Sequence, residues 1–413
     1  MFAYYNFIIK SMNFCKNIFF IYVLSFLNFF SPQFLPFKIE EQISKLIIYS
    51  LYIIFSICVI GNKNKEQTTY DRCFVMILWG FTFSIFMAST QHSEQSLPVS
   101  IMATLPYIVP FSTFFLLKKS RFNIDWLEKV FIIVGVLNVI IVLQLWGLMP
   151  NQLFGGLREE DDGRGIRIGV EGDIFKALLL FYSIYKFKTT RKKIYAGLIC
   201  LCFITVFLSL TRQVMAISTF LAIIYYLKDL KFYKKILIAA LSVCILISVI
   251  QMPYFQDLIS VSERQIEQDA EDENIRIKAW RYYIDESQEG LLTRIFGNGC
   301  YSYGNSQYGY DERRNQLMTL CFPSDVSLAS FYWFFGILGI SGIIMIFVKT
   351  FRLDIPERYG YLKFVIYYIM LASIASGPLL YYSQNIVLVV VCYLLGKINY
   401  LYGNDNRNNN FKL

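Results

Sequence analysis

From Pro253 to Asp325 the chain reads PYFQDLISVSERQIEQDAEDENIRIKAWRYYIDESQEGLLTRIFGNGCYSYGNSQYGYDERRNQLMTLCFPSD, the only long polar interval in a mostly apolar sequence. It opens with an acidic run (Glu267, Asp269, Glu271, Asp272, Glu273). It continues through Asn274-Ile-Arg-Ile-Lys-Ala-Trp-Arg281 and Phe296-Gly-Asn-Gly-Cys300, and closes at Pro323-Ser-Asp325. Its flanks decide the fold, because on both sides lie runs long enough to cross a bilayer. A polar segment kept between such runs folds over a site at one membrane face.

The composition agrees. Of 413 residues, 56% are hydrophobic, 18% aromatic and 17% charged, and the mean hydropathy is +0.46. A soluble domain is roughly 45–50% apolar and about 25% charged. The net charge of +9 falls mostly in short gaps between apolar runs, where it sets orientation, so no nucleic-acid partner is expected. The apolar stretch after Lys10 and Lys16 has no small-residue cleavage site behind it and reads as a retained first helix. The nine cysteines form no disulfide framework. Cys300 and Cys321 both fall in the long loop, where an oxidising space would allow a bridge.

A spanning helix takes about 20 apolar residues. Candidate spans are Asn17–Phe37, Ile43–Ile60, Phe74–Thr90, Leu97–Leu117, Val130–Leu148, Ile174–Tyr185, Ile194–Leu210, Val214–Leu227, Ile236–Met252, Val326–Val348, Tyr361–Ser376 and Leu380–Tyr402. The expected architecture is therefore all-α and polytopic, with about twelve spans and one large extracytoplasmic loop containing an amphipathic helix. Residues 1–252 carry the N-terminal spans, 253–325 the loop and 326–402 the C-terminal spans. Residues 403–413 form a polar tail expected to be disordered. Lysines occupy alternate gaps: Lys63 and Lys65; Lys118 and Lys119; Lys186, Lys188, Lys192 and Lys193; Lys228, Lys231, Lys234 and Lys235; Lys349 and Lys363. By the positive-inside rule both termini are cytoplasmic and the long loop is outside.

The outer segments use arginine instead, whose planar fork matches phosphate oxygens in bidentate pairs. Gly163-Arg-Gly-Ile-Arg-Ile-Gly169 offers Arg164 and Arg167 on a turn-forming backbone, and neutralising nearby acids is the plainer reading. Arg212 interrupts a long apolar stretch in Ser209-Leu-Thr-Arg-Gln213, where a cation is costly and snorkelling is the plainer reading. In the loop, Ile277, Trp280 and Ile284 recur at helical spacing as one stripe of an amphipathic helix lying on the membrane surface, with Arg276 and Arg281 at its edge. Asp325 is either a helix cap or a catalytic carboxylate. The single histidine, His92, and scattered cysteines make no metal site. No nucleotide or dinucleotide fingerprint occurs, which weighs against ATP-driven and redox work.

Between roughly Arg164 and Phe347 the layout resembles the O-antigen polymerase and ligase family of bacterial surface-polysaccharide enzymes. The resemblance rests on the order of Arg167-Ile-Gly169, Leu210-Thr-Arg212, Arg276 with Trp280, Gly297-Asn-Gly299 and Phe335-Gly-Ile-Leu-Gly-Ile-Ser-Gly342. It implies a metal-independent glycosyltransferase without cofactor, acting on undecaprenyl-diphosphate-linked glycans at the outer face of the bacterial plasma membrane. Ligases of that family resemble one another in a histidine at the end of the long loop. Here that place reads Pro323-Ser-Asp325, which favours a polymerase. The implied donor-binding residues are Arg164, Arg167, Arg212, Arg276 and Arg281. Arg212 also stands with Asp325 as catalytic, Asp325 being the candidate base and Glu171 or Asp173 standing behind it. Membrane lipids, a chain-length regulator and a flippase are the implied partners. An O-antigen ligase and a lipid-linked oligosaccharide flippase are the alternatives.

Overall fold

A computed structural model describes residues 2–27, 37–62, 67–90, 95–120, 122–148, 172–208, 212–228, 231, 274–288 and 290–410. These residues are 85% helical with no strands. The long helices are α1 (Phe2–Ser25), α2 (Phe37–Val59), α3 (Asp71–Thr90), α4 (Leu97–Ser120), α5 (Ile124–Leu148), α6 (Asp173–Thr190), α7 (Lys193–Leu208) and α8 (Arg212–Leu227). The loop contributes α9 (Ile275–Arg281), α10 (Leu291–Phe296) and α11 (Gln307–Thr319). After it come α12 (Ser327–Arg352), α13 (Gly360–Ala375) and α14 (Tyr382–Asn410).

Among the described residues six stretches are long and apolar enough to cross a membrane: Gln42–Val59, Asp71–Thr90, Leu97–Ser120, Ile124–Leu143, Ser327–Arg352 and Tyr382–Tyr402. Shorter apolar helices cover Met12–Ser25, Lys193–Leu208 and Gln213–Leu227. The chain is a helical membrane protein. Two bounds differ from expectation. α1 stops at Ser25, whose hydroxyl bonds the Tyr22 carbonyl and competes for the last-turn acceptors. α14 runs through the polar tail to Asn410, since no proline follows Tyr402 to end it. The expected span Ile236–Met252 and the acidic run before Asn274 lie outside the described residues.

α14 is the hub. Its membrane-crossing window is 72% buried, against 22% for that of α2. Residues 386 to 395 pack protein on every side, as a helix apolar all round must. α3 and α12 meet through small residues: a Cβ on Gly80 would lie 2.7 Å from the Gly339 Cα, and one on Gly342 would lie 2.5 Å from Ile77. Such contacts let two backbones approach where lipid offers no hydrophobic drive.

The bundle has two unlike ends. At one, Lys118 pairs with Asp71, the Lys349 ammonium donates to the Thr69 carbonyl (2.6 Å), Lys397 to the Phe122 carbonyl (2.7 Å) and Lys188 to the Tyr225 carbonyl (3.3 Å). At the other end, residues 290–327 meet the last turns of α3 and α13 and the first of α4. We refer to these as the lysine end and the loop end.

Candidate functional site

The loop end is built around a break in α12. Gly336 adopts φ 64°, ψ −171°, so the helix loses its register there and the carbonyls of Trp333 and Phe334 lose their helical donors. The turn Gly297-Asn-Gly299 supplies replacements: the Asn298 N–H donates to Trp333 O (2.8 Å) and the Gly299 N–H to Phe334 O (3.0 Å). Both glycines have positive φ, and a Cβ on Gly297 would lie 2.2 Å from Phe334 O. The glycine pair therefore serves backbone approach.

Gln95, fully buried before α4, stitches the following residues down. Its amide donates to Cys300 O (2.9 Å) and Ser100 Oγ (3.1 Å). Its carbonyl oxygen accepts from the Ser302 N–H (3.1 Å) and the Ser306 hydroxyl (2.8 Å). Tyr283, Tyr301, Tyr308 and Trp333 pack edge-to-face beneath the loop, and the Tyr283 hydroxyl donates to Cys321 O (2.8 Å). Burial first, then the neighbouring Glu312 carboxylate, raises the Tyr282 and Tyr308 hydroxyls above the ordinary tyrosine range. Cys300 and Cys321 are both buried free thiols, so no bridge joins them.

α9 is capped by Asn274, whose side chain accepts from the Arg276 N–H (3.0 Å). Of the expected Ile277–Trp280–Ile284 stripe, Trp280 and Ile284 pack against the core and Ile277 does not. Ile277 is exposed, while Ala279, Tyr282 and Tyr283 are buried. The helix passes into a π-helical turn at Tyr282–Glu286, which changes the periodicity and brings two tyrosines inward in place of Ile277. α9 docks on protein. Trp280 donates its indole N–H to Ile374 O at the end of α13 (2.8 Å).

That docking packs α9 against Pro323–Asp325, and the Arg276 charge acts on Asp325. The carboxyl is raised above its ordinary value by burial, and Arg276 pulls it partly back. Asp325 is no cap: Val326 occupies the N-cap position of α12, with no side-chain cap bond. The capping reading gives way, and the carboxylate is left facing a cation. Arg276 makes no ion pair within 4 Å among the described residues, and Arg281 is exposed on the same helix. Arg212 opens α8, which packs along α13. Asp173 opens α6 behind Gly172, which has φ 87°. Arg164, Arg167, Glu171 and His92 lie outside the described residues. Of the expected site, the described structure packs α9, which carries Arg276 and Arg281, against the Pro323–Asp325 turn.

Three polar groups, Lys176 and Gln95 buried and Glu312 partly so, escaped the sequence reading. Lys176 sits three residues into α6 and is fully buried, near Cys202 of α7. A single charge inside Ile174–Tyr185 was the available signal, since an ionisable group within a span is a functional candidate by default. Glu312, in the run Asp311-Glu-Arg-Arg314, reads as solvated yet faces the tyrosines. Gln95 carried no signal. No group of three or more His, Cys, Asp or Glu is placed to hold a metal among the described residues. One recess lies among Phe26, Lys45, Tyr49, Pro106 and Tyr382, and another at the lysine end beside Lys349. No family model matches the chain, and no curated protein sequence matches it.

Proposed function

We propose that the chain is a polymerase of a bacterial surface polysaccharide, joining undecaprenyl-diphosphate-linked repeat units at the outer face of the plasma membrane. The observation that carries this reading is the packing of α9, which bears Arg276, against Pro323–Asp325 at the loop's end, close enough for the Arg276 charge to act on the Asp325 carboxyl. A half-buried carboxylate with a raised pKa is a better base near neutral pH than an ordinary aspartate. Arginines beside it suit the developing charge of a diphosphate leaving group. In this reading twelve spans place both termini in the cytoplasm, the lysine end faces inward and the loop end outward.

The reaction follows from those roles. The acceptor hydroxyl of one lipid-linked unit attacks the anomeric carbon of the growing chain. Asp325 takes the hydroxyl proton, the bond from anomeric carbon to diphosphate oxygen breaks, and undecaprenyl diphosphate departs with the electron pair. Arg276, Arg281 and Arg212, with Arg164 and Arg167, hold the diphosphate or adjoining sugars. The absence of histidine at the loop's end favours polymerase over ligase.

The test uses purified lipid-linked repeat units with the full chain in detergent. Asp325→Asn should slow polymer formation by about 10²–10⁴-fold, the usual worth of a positioned base. Arg212→Ala should abolish extension while the protein still inserts. Normal polymer length from both variants would overturn the assignment. Glycan transfer to lipid A core would make the chain a ligase, and movement of lipid-linked units without bond formation would make it a flippase.

A further inference from the structure

Residues 290–300 are placed deeper than a surface loop. The Gly297-Asn-Gly299 turn meets α12 at Phe334–Gly336, seven to nine residues past the first residue of the helix. At 1.5 Å per residue this is about 10–13 Å along the helix axis. On α3 a Cβ at Gly299 would lie 2.4 Å from Ser84 O, six residues before the helix ends, or about 9 Å down. The headgroup layer on one side of a bilayer is only about 5–7 Å thick, half the difference between the full and hydrocarbon thicknesses. The turn therefore lies below that layer if these helices span the membrane.

Irregular backbone is tolerated at that depth only where protein satisfies it. Here it is satisfied. Gly297, Asn298, Gly299 and Cys300 are buried. The Gly297 N–H donates to Thr293 O (2.7 Å), the next two N–H groups fill the carbonyls freed at the α12 break, and Gln95 serves Cys300 O. The side chains beside the turn complete the pattern. Phe296 packs on Phe83 (ring centroids 4.8 Å), which packs on Trp79 (5.6 Å), and Trp79 lies on the exposed face of α3. Leu291 and Leu292 begin α10 and are 73% and 56% exposed. Arg294, on the same short helix, reaches toward Asp285 at 3.8 Å.

We propose that residues 290–300 form a re-entrant element, and that Leu291 and Leu292 dock into the acyl-chain region of the bilayer, continuing the lipid-facing surface of α3. The occupant is lipid because the exposed leucines adjoin a face that is itself a membrane span. The loop is then anchored in the membrane at its middle, between the water-facing α9 and α11. This holds whether or not the chain joins glycans.

The test places a small fluorescent amino acid at position 291, and separately at 292, in the full chain reconstituted in phosphatidylcholine–phosphatidylglycerol vesicles. Position 86 on α3 serves as the lipid-facing reference and position 303, exposed in the loop, as the aqueous one. Doxyl-labelled phosphatidylcholine should quench 291 and 292 as it does 86, and iodide should quench them several-fold less than 303. Iodide quenching equal to that at 303 would show that the leucines face water. Quenching by neither reagent would show protein, such as a second copy of the chain. Either result overturns the proposal, and two separate positions guard against one variant failing to insert.

Discussion

The lysine end and the loop end solve the same problem, holding helix termini together, with different chemistry. At the lysine end the ties are charges: Lys118 to Asp71, Arg358 to Asp125 (2.7 Å), and the Tyr361 hydroxyl to Glu128 (2.7 Å) with Arg358 3.8 Å from the same carboxylate. At the loop end the ties are neutral: backbone N–H groups at a helix break, the Gln95 amide, and tyrosine hydroxyls on backbone carbonyls. Cations are present there too, but Arg294 stands 3.8 Å from its acid and Arg313 lies over the Phe322 ring (5.5 Å). Among the described residues Arg276 has no ion pair within 4 Å, and in the proposed reaction it serves an anion.

The sharpest way to break this contrast is at the inserted turn. Gly297→Ala would put a Cβ 2.2 Å from a carbonyl oxygen in a left-handed conformation that alone costs about 1–3 kcal/mol. Relief requires giving up the two hydrogen bonds that close the α12 break. Gly304→Ala is the control, with φ 85° and nothing within 4 Å, so it carries the conformational cost without the overlap. Thermal unfolding in detergent should show a much larger loss for Gly297→Ala than for Gly304→Ala. Equal losses would mean that the turn is not wedged into the bundle.

Why this wedge could not be read from residues alone is instructive. Hydropathy located the apolar runs well, because the cost of unsatisfied backbone in lipid makes length and composition decisive. Phe74–Thr90 and Leu97–Leu117 fall within α3 and α4, and the alternation of lysines is mirrored by the lysines gathered at one end. Gly297-Asn-Gly299 was visible as a turn, but its partner Gly336 lies in an uninterrupted apolar run, and nothing local announces a helix break there. The pairing of Arg276 with Asp325 depends on how the whole loop folds. Ile277 kept helical spacing with Trp280 and Ile284 yet stays exposed, while Tyr282 and Tyr283, whose larger surfaces outweigh an isoleucine, are buried.

A second, smaller test falls on the lysine end. Tyr361 is buried and its hydroxyl donates to a Glu128 carboxylate that is itself nearly buried. Removing a hydrogen bond to a charged group costs about 1.5–3 kcal/mol. Tyr361→Phe should therefore lower the unfolding temperature while leaving polymer formation per folded molecule unchanged. A loss of activity without loss of stability would place chemistry at the end assigned to structure.

The smallest effect is the most specific, because it reads the field between two residues. Asp325 is held above its usual carboxyl range by burial, and Arg276 lowers it partway. A carboxyl whose folded pKa is raised binds its proton more tightly folded than unfolded. The stability linked to it is full below the ordinary value of 3.8 and is lost as pH rises through the raised folded value. The ionised form needed for base catalysis appears over that same rise. Arg276→Ala removes a cation that lowers the pKa, so the acid limb of the polymerisation profile should move to higher pH, and the pH at which stability is lost should move with it. Arg276→Lys keeps the charge and should return both toward the starting values. If the limb stays where it is while activity falls, Arg276 acts on the substrate alone. If Asp325→Asn leaves the limb intact, the proton leaves to some other group.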